Sequence, residues 1–297
     1  MEYNGEMPLE ADKRSGVNCG LGEYNGEIRL EIGRRDNGES YMEKQYYKLP
    51  LQVMTPFYQD RDGTCFLYLL NPSGGVLDYD NFKIEVRVKD GAKACISTPS
   101  ATKIYKKRRK EAPAAQQENV FYLGSGSVLE YCPDEIIPYA DSAFLQENRF
   151  YLEEDSTLIT WDILSGGRAL RGEVFRFEQY TSRTDIYVNQ VPLVIDKMTL
   201  KPQEVNVANL QCMREYLYTA TVYAYGADCT EELVETLVKE GTGYEDGLFG
   251  ASLVTEKLIA VKILGSHAYR VLEEVQRVWE ILRQGMLDKK AVRLRKF

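Results

Sequence analysis

Short segments in which apolar and polar residues alternate constrain the fold of this chain more than any other feature. The clearest is FKIEVRV at residues 82–88, in which every second side chain is apolar. The same period of two runs through residues 28–32 and 174–177. Since successive side chains of a strand point to opposite faces, each segment presents one apolar face to a core. The pattern therefore predicts strands for most of the chain.

Longer apolar runs, rich in tyrosine and β-branched residues, predict further strands with more of their surface buried. These runs are CFLYLL at 65–70, VFYL at 120–123, TLITWDIL at 157–164 and YLYTATVYAY at 216–225. Glycine-containing turn sequences fall between them, for example PSGG at 72–75 and GSG at 124–126. The spacing indicates an all-β architecture with many returns of the chain.

Helical periodicity is confined to the C-terminal part of the chain. Residues 229–240 read as a helix, with Thr230 as its N-cap and acidic residues in its first turn. A second helix is predicted from about 266 to 283, because apolar residues recur there every three or four positions. They are Ala268, Val271, Leu272, Val275, Val278, Trp279 and Leu282. We expect this stripe to pack on its own domain rather than on a partner.

Composition narrows the class of protein. The chain of 297 residues has a formal net charge of −8, which argues against nucleic acid as its main partner. The basic run KKRRK at 106–110 is accordingly predicted to be a solvated loop. No run approaches the roughly 18 apolar residues of a membrane span, so a cytoplasmic protein is expected. We predict a flexible N-terminal segment at residues 1–24 and a single domain at 25–297.

The cysteines and the histidine indicate that no metal is tightly bound. The six cysteines are scattered without a C-x-x-C pair, so they are expected to be free thiols in a reducing compartment. His267 is the only histidine, which excludes a histidine-rich cage for a first-row metal. We therefore expect no tightly bound cofactor.

The sequence argues against two kinds of catalytic motif. Ser100 and Lys103 have the S-x-x-K spacing of penicillin-binding proteins, in which a helix brings the lysine beside a nucleophilic serine. Here Thr102, Ile104 and Tyr105 favour a strand, where positions three apart point to opposite faces. The companion K-T-G and S-D-N motifs are missing, and no G-x-x-x-x-G-K-[ST] loop is present to bind nucleotide phosphates.

A group of carboxylates set among apolar residues is the sequence pattern that most strongly indicates a functional site. The segment LEYCPDEIIPY at 129–139 sets Glu130, Asp134 and Glu135 among aromatic and β-branched residues. A carboxylate buried in such surroundings costs free energy unless a partner compensates its charge. Further candidates for the same network are Asp78 and Asp80, and the pair Arg168 and Glu173. Surface turns and strand ends are the alternative explanation of these acids.

The same stretches carry a family resemblance. PSGGVLDYD at 72–80, STPSATKIYK at 97–106, LEYCPDEIIPY, GGRALRGEVF at 166–175 and the last helix resemble the urease accessory protein family UreD, called UreH in some bacteria. A T-P-x-A-T-K-x-Y segment followed about 25 residues later by L-E-[WY]-x-P-x-E is not a general strand pattern. The chain departs from the family at Tyr79, where glycine is usual. Since a tyrosine disfavours positive φ, we expect this turn to differ.

The resemblance implies a solenoid-like stack of strands and a protein that is not itself an enzyme. It implies assembly with the helical partner UreF and the GTPase UreG on the urease apoprotein subunits, where nickel is inserted beside a carbamylated lysine. Nickel would then pass transiently along an internal path of weak oxygen ligands. The residues expected to line this path are Glu130, Asp134, Glu135, Asp80, Thr98 and Thr102, with Arg168 and Glu173 supporting its wall.

Two rival hypotheses remain open at this point. A metal-independent scaffold would hold the apoprotein in an open state while nickel enters by another route. An uncharacterised β-rich enzyme is the weaker rival, because no nucleophile and base are paired in the sequence.

Overall fold

The computed structural model describes residues 23–204, 213, 215–290 and 292–294. The predicted N-terminal segment, residues 1–24, lies outside this range except for its last two residues. In the described part, strands form two stacked sheets, and helices cover the outer face of one of them.

The first sheet has seven strands. In spatial order they are β14 (Val191–Leu200), β13 (Gln179–Val188), β11 (Ala143–Leu152), β8 (Ala115–Leu123), β5 (Asn81–Val88), β1 (Gly26–Arg34) and β2 (Ser40–Lys48). The five central strands are mutually parallel, and antiparallel hairpin partners close the two edges. A period-two pattern keeps one face of each central strand apolar and directs it inward.

The second sheet has ten strands. Its main path is β16 (Gly247–Thr255), β17 (Leu258–Gly265), β15 (Tyr218–Tyr225), β12 (Thr157–Ser165), β9 (Val128–Cys132), β6 (Lys93–Ser97), β4 (Cys65–Leu70) and β3 (Gln52–Val53). Two short strands, β7 (Thr102–Ile104) and β10 (Ile136–Pro138), pair with each other and attach to β12 as a side branch.

The chain alternates between the two sheets from β4 to β13, and this alternation explains the parallel pairing. Each strand of the first sheet is followed by one of the second, so the next strand in either sheet arrives one full coil later in the same direction. Asn81 in β5, for example, lies beside Gln116 in β8. The strand-dominated, solenoid-like fold predicted from the sequence is confirmed.

Two apolar cores hold the three layers together. One lies between the sheets and includes Phe82, Phe121, Phe150 and Tyr180. The other lies between the second sheet and the helices, and includes Trp161 and Trp279. Strand alternation produces this division: in β12, Leu158 and Leu164 face the first core, whereas Ile159 and Ile163 face the second.

Both predicted helices are present. Helix α1 spans Glu231–Gly241, and the Thr230 side chain caps it by accepting a hydrogen bond from the Leu233 backbone N–H. Helix α2 spans Ala268–Leu287 and buries Val271, Val275 and Trp279 of the predicted stripe against the second sheet. The expectation that α2 packs on its own domain is confirmed.

Three local expectations were wrong. Residues 174–177 are not a strand, because the chain turns there with Phe175 at a φ of 49°. Ser100 lies in the bend between β6 and β7 rather than on a strand. The turn at Tyr79 keeps a positive φ of 68° despite the side chain, and its carbonyl oxygen accepts a hydrogen bond from the Asn25 side chain.

Candidate functional site between the two sheets

A band of polar side chains crosses the inner face of the first sheet, where an apolar core would ordinarily continue. Asn119 of β8 shares that face with Phe121, and it is fully buried. Asn148 of β11 and Thr184 of β13 occupy equivalent inward positions on the next strands and are also buried. Because the three strands are parallel and in register, their polar side chains form one row across the sheet.

Hydrogen bonds connect the row from end to end. The Gln117 Nε2 atom donates to Asn119 Oδ1 over 3.0 Å, and Asn119 Nδ2 donates to Asn148 Oδ1 over 2.7 Å. The row continues from Asn148 Nδ2 to Thr184 Oγ1 over 3.5 Å. Buried amides require partners of this kind, since an unpaired amide costs about 1–3 kcal/mol. We call these four residues the polar band.

One end of the polar band opens into a cavity of about 310 Å³. The polar residues of its lining are Asn148, Thr160, Asp162, Ser182, Thr184, Asp196, Thr219, Thr221, Tyr223 and Lys262. Asp162 lies in β12 and Asp196 in β14, so the two carboxylates come from opposite sheets. A cavity of this size and polarity has room for several water molecules.

The two sheets are bridged here by polar contacts. Ser182 Oγ donates to Asp162 Oδ2 over 2.6 Å, which joins the first sheet to the second. On the other side of the cavity, the Tyr223 hydroxyl and the Lys262 ammonium group both donate to Asp196 Oδ2, over 2.8 and 2.9 Å. Lys262 is exposed, so the Asp196 ion pair marks the outer end of the cavity.

The environment moves the pKa values of the two aspartates in opposite directions. Burial raises the pKa of Asp162 above its ordinary value, and the hydrogen bond from Ser182 only partly opposes this effect. Burial also acts on Asp196, but the Lys262 ammonium group and the Tyr223 hydroxyl outweigh it and lower the pKa of Asp196. The cavity thus combines a carboxyl group that holds its proton more readily with one that is held as a carboxylate.

The other end of the polar band reaches a second cavity, of about 250 Å³. Gln117 lines this cavity, and so do Thr98, which follows β6, and Thr102, which begins β7. The turn at residues 71–76 forms the remaining polar wall. The polar band therefore leads from loops at one end of the sandwich to the exposed Asp196–Lys262 pair.

Four of the residues predicted for a nickel path meet at the second cavity or directly behind it. Thr98 and Thr102 line the cavity. The Asp134 backbone N–H donates to Thr98 Oγ1 over 2.8 Å, and the Thr102 backbone N–H donates to the Glu135 carbonyl oxygen. Asp134 Oδ1 in turn accepts the Glu135 backbone N–H over 2.9 Å. The structure brings these four residues together.

Asp80 lies apart from that group. Its Oδ2 atom accepts the Leu77 backbone N–H over 2.7 Å, which closes the turn before β5. Burial raises the pKa of Asp80, against the effect of that hydrogen bond. Its neighbour Asp78 is buried and pairs with Arg108, with 2.7 Å between Oδ1 and Nε.

Glu130 faces the helices, on the side of the second sheet opposite the cavities. Strand alternation in β9 sends Leu129 and Tyr131 toward the inter-sheet core and Glu130 toward α2. There Glu130 Oε2 accepts the Trp279 Nε1–H over 2.7 Å and lies 3.0 Å from Arg283 Nε. Burial raises the pKa of Glu130, and Arg283 opposes this rise.

Arg168 and Glu173 form the predicted pair, with Nε donating to Oε2 over 2.8 Å. Glu173 Oε2 also accepts the Ala140 backbone N–H, and the Arg168 guanidinium lies 3.8 Å from the centre of the Tyr139 ring. The pair therefore fixes the loop after β12 against the segment after β10.

The described residues contain no cluster of three or more His, Cys, Asp or Glu side chains that could hold a metal ion. The donors along the cavities are carboxylate, hydroxyl and amide oxygens, which suit weak and exchangeable binding of divalent cations. Cys65, Cys95, Cys132 and Cys229 are free and buried, as predicted; Cys19 and Cys212 lie outside the described residues.

The sequence patterns did not identify the polar band, nor the two aspartates, Asp162 and Asp196, that line the first cavity. Amides and hydroxyls at alternate strand positions resemble solvent-facing positions when each strand is read alone. The sequence nevertheless indicated the inward position of Gln117 and Asn119. Both lie an even number of residues from the apolar Phe121, so all three side chains share one face of β8.

Neither described helix combines the length and apolarity needed to cross a membrane. Fold and site together define a class of protein: a two-sheet β-solenoid, capped by helices, with a band of buried polar side chains between its sheets.

A sequence profile described as UreD urease accessory protein matches residues 24–296. The chain belongs to the UreD family.

Individual relatives are similar over nearly their whole length. A protein named urease accessory protein UreD from Acetivibrio thermocellus is 30% identical over 246 residues, which cover 83% of this chain and 93% of that protein. The protein of the same name from Bacillus cereus is 29% identical over 255 residues, or 86% and 92% of the two chains. One from Staphylococcus epidermidis is 27% identical over 266 residues, or 88% and 95%.

Proposed function

We propose that this chain assists nickel insertion into urease, and that the ion travels along the polar band between the two sheets. The observation that carries the proposal is the continuous hydrogen-bonded row from Gln117 to Thr184, with a polar cavity at each end. The name borne by the relatives supports the association with urease.

The chemistry of the lining suits a cargo that must be released. Nickel held by thiolates or several imidazoles would leave slowly, whereas single carboxylates, hydroxyls and amides bind it loosely. Asp162 and Asp196 are the strongest donors along this route. Lys262 already neutralises Asp196, so an arriving cation must displace the ammonium group, which weakens binding further.

We propose that UreF, UreG and the urease apoprotein are the partners of this chain and that it has no catalytic role of its own. The absence of a P-loop from the sequence means that nucleotide hydrolysis would come from a partner. The purified chain is accordingly expected to show no saturable GTP turnover.

The test is to interrupt the polar band without changing its volume. Asn148→Leu is nearly isosteric and removes both the donor to Thr184 and the acceptor of Asn119. In activation assays with UreF, UreG and urease apoprotein, we expect nickel bound per urease site and urease activity to fall together, by about tenfold. Asp162→Asn tests the carboxylate alone and is expected to give a smaller loss of bound nickel.

Gln116→Leu is the matched control, since Gln116 neighbours Gln117 in β8 but its strand position faces away from the cavities. It should load nickel normally. Pull-down of UreF, UreG and apoprotein with each variant checks that assembly is intact. Normal nickel loading by both Asn148→Leu and Asp162→Asn within intact complexes would overturn the path and favour a metal-independent scaffold.

A further inference from the structure

Leu170 is the most exposed large apolar side chain among the described residues, at 105% of its reference surface. It lies at the tip of a short 3₁₀ turn, Ala169–Arg171, in the loop that joins β12 to β13. A single exposed leucine is common on protein surfaces and by itself indicates nothing. The construction of the loop around Leu170 is what distinguishes it.

The loop is held rigidly on both sides of its tip. The Arg168–Glu173 ion pair closes its base, and Ser165 Oγ donates to the Gly167 carbonyl oxygen over 2.8 Å. Gly167 adopts a φ of 115°, and a Cβ atom there would lie 2.3 Å from the Glu173 carbonyl oxygen. Two closing contacts and an obligatory glycine therefore fix a backbone that presents one apolar side chain to solvent. Such pre-organisation lowers the entropic cost of binding.

The loop and the segment packed against it carry further apolar and aromatic side chains. Val174 is exposed four residues further on. The Arg168 guanidinium lies over the Tyr139 ring, and this ring makes an edge-to-face contact with the half-buried Tyr105 ring, with 5.2 Å between the ring centres. Large aromatic and arginine side chains of this kind dominate the binding free energy at protein interfaces.

The charge around the tip is positive. Arg171 and Arg176 are exposed and form no ion pair within the described ranges. The loop has two acids, and both are already paired: Glu173 with Arg168, and Glu178 with Lys107. A basic surface is unusual on a chain with a net charge of −8, and it selects a partner whose contact surface is acidic.

We propose that Leu170, Val174, Arg171 and Arg176 form the anchor by which this chain docks on the urease apoprotein, through an apolar pocket with an acidic rim. The choice of partner rests on the proposed function. The position of the loop also supports this choice. Pro138 and Tyr139 lie against the loop, and they follow the Asp134–Glu135 turn behind the second cavity. A partner seated on the anchor would therefore lie at the loop end of the polar band.

The experiment measures binding of the full-length chain to immobilised urease apoprotein. Leu170→Ala is expected to weaken affinity by about tenfold or more, as loss of a central apolar anchor does. Arg171→Glu should also weaken affinity and should reduce the dependence of the association rate on salt. Ile195→Ala is the matched control: Ile195 is 61% exposed on the outer face of β14, far from the loop in sequence, and its loss should leave affinity unchanged.

Thermal unfolding of every variant should match the parent, because all of these side chains are exposed. Binding to UreF, measured in parallel, should be unaffected by Leu170→Ala. Normal apoprotein binding by Leu170→Ala and Arg171→Glu would overturn the anchor and leave the proposed function standing. Loss of UreF binding alone would assign the surface to UreF and contradict the proposal. If the parent chain failed to bind apoprotein at all, the proposed function and the anchor would fall together.

Discussion

Glu130 and Arg283 form an ion pair in which neither side chain reaches solvent. Asp60 pairs with Arg283 on its other side, and Lys289 lies 3.4 Å from Asp60 Oδ2. The cluster joins β9, the end of α2 and the segment before β4. Because each charge has a partner, the network tolerates burial; removal of one member leaves another uncompensated in an apolar surrounding.

Arg283→Met is therefore expected to lower the free energy of unfolding by about 3 kcal/mol, because it leaves the Glu130 and Asp60 carboxylates buried without the guanidinium that both contact. Denaturant unfolding measures the loss. Glu154→Gln is the control, since Glu154 pairs with Lys257 at the exposed surface, where an ion pair contributes at most about 1 kcal/mol. Equal stability of Arg283→Met and the parent would show that charge pairing does not hold this cluster together.

Asp162 and Asp196 are expected to give opposite pH dependences. The folded-state pKa of Asp162 is raised, so its contribution to stability is present below its ordinary pKa and is lost as pH rises through the folded value. Asp162→Asn should therefore gain stability relative to the parent as the pH rises above about 4. The folded-state pKa of Asp196 is lowered, so its contribution is present at neutral pH and is lost in acid.

Asp196→Asn should accordingly be less stable than the parent at pH 7, and the difference should shrink toward about pH 3. Unfolding free energies of both variants and the parent, measured across this range, check the two signs. The same sign for both variants would mean that Lys262 and Tyr223 do not hold Asp196 as a carboxylate.

Helix α2 shows how one element serves two purposes. Its stripe of Val271, Val275 and Val278 packs on the second sheet, as the sequence pattern predicted. Its last turn adds Arg283 to the buried charge cluster, and this charged role has no periodicity that a sequence alone could show. The helix therefore fastens the sheet through apolar contact along its length and through ions at its end.

Val275→Asp should cost about 4 kcal/mol of stability and most of the soluble yield, because Val275 is 2% exposed within the apolar core between α2 and the second sheet. Glu280→Asp, at an exposed position of the same helix, should cost about 0.5 kcal/mol through helix propensity alone. Chemical denaturation of the two purified variants gives the comparison. A stable Val275→Asp protein that no longer bound its partners would make α2 an interface instead.

Strand existence was predictable from the sequence, and strand order was not. The alternation in residues 82–88 and the apolar run at 65–70 were sufficient to identify β5 and β4. The pattern of residues 174–177 failed, since Gly172 and Phe175 both adopt positive φ and turn the chain. So short an alternating segment does not form a strand there, because these turns direct the chain away from the sheet and leave the segment without a strand to pair with.

At the scale of the whole molecule, the alternation of the chain between two sheets creates the site. Each coil contributes one strand to each sheet, so a polar residue at the inward position of successive coils produces a continuous row. A single strand carries only one or two members of that row. Thr98, Thr102, Asp134 and Glu135 could be grouped from the sequence because they lie in two short motifs. Asn119, Asn148 and Asp162 could not, because only the coil geometry brings them together.

The Glu130–Trp279 contact, which spans 149 positions, also affects the order in which the chain can fold during synthesis. A ribosome releases β9 long before α2, and coils can stack on their predecessors as they emerge, since each pairs with a strand made shortly before. Glu130 then remains exposed on the uncovered outer face of the second sheet, without Arg283 or Trp279, until α2 has been synthesised. A nascent chain halted before α2 would expose that acid on an uncovered apolar face. Recognition of this face by cellular folding factors would distinguish truncated chains from finished ones.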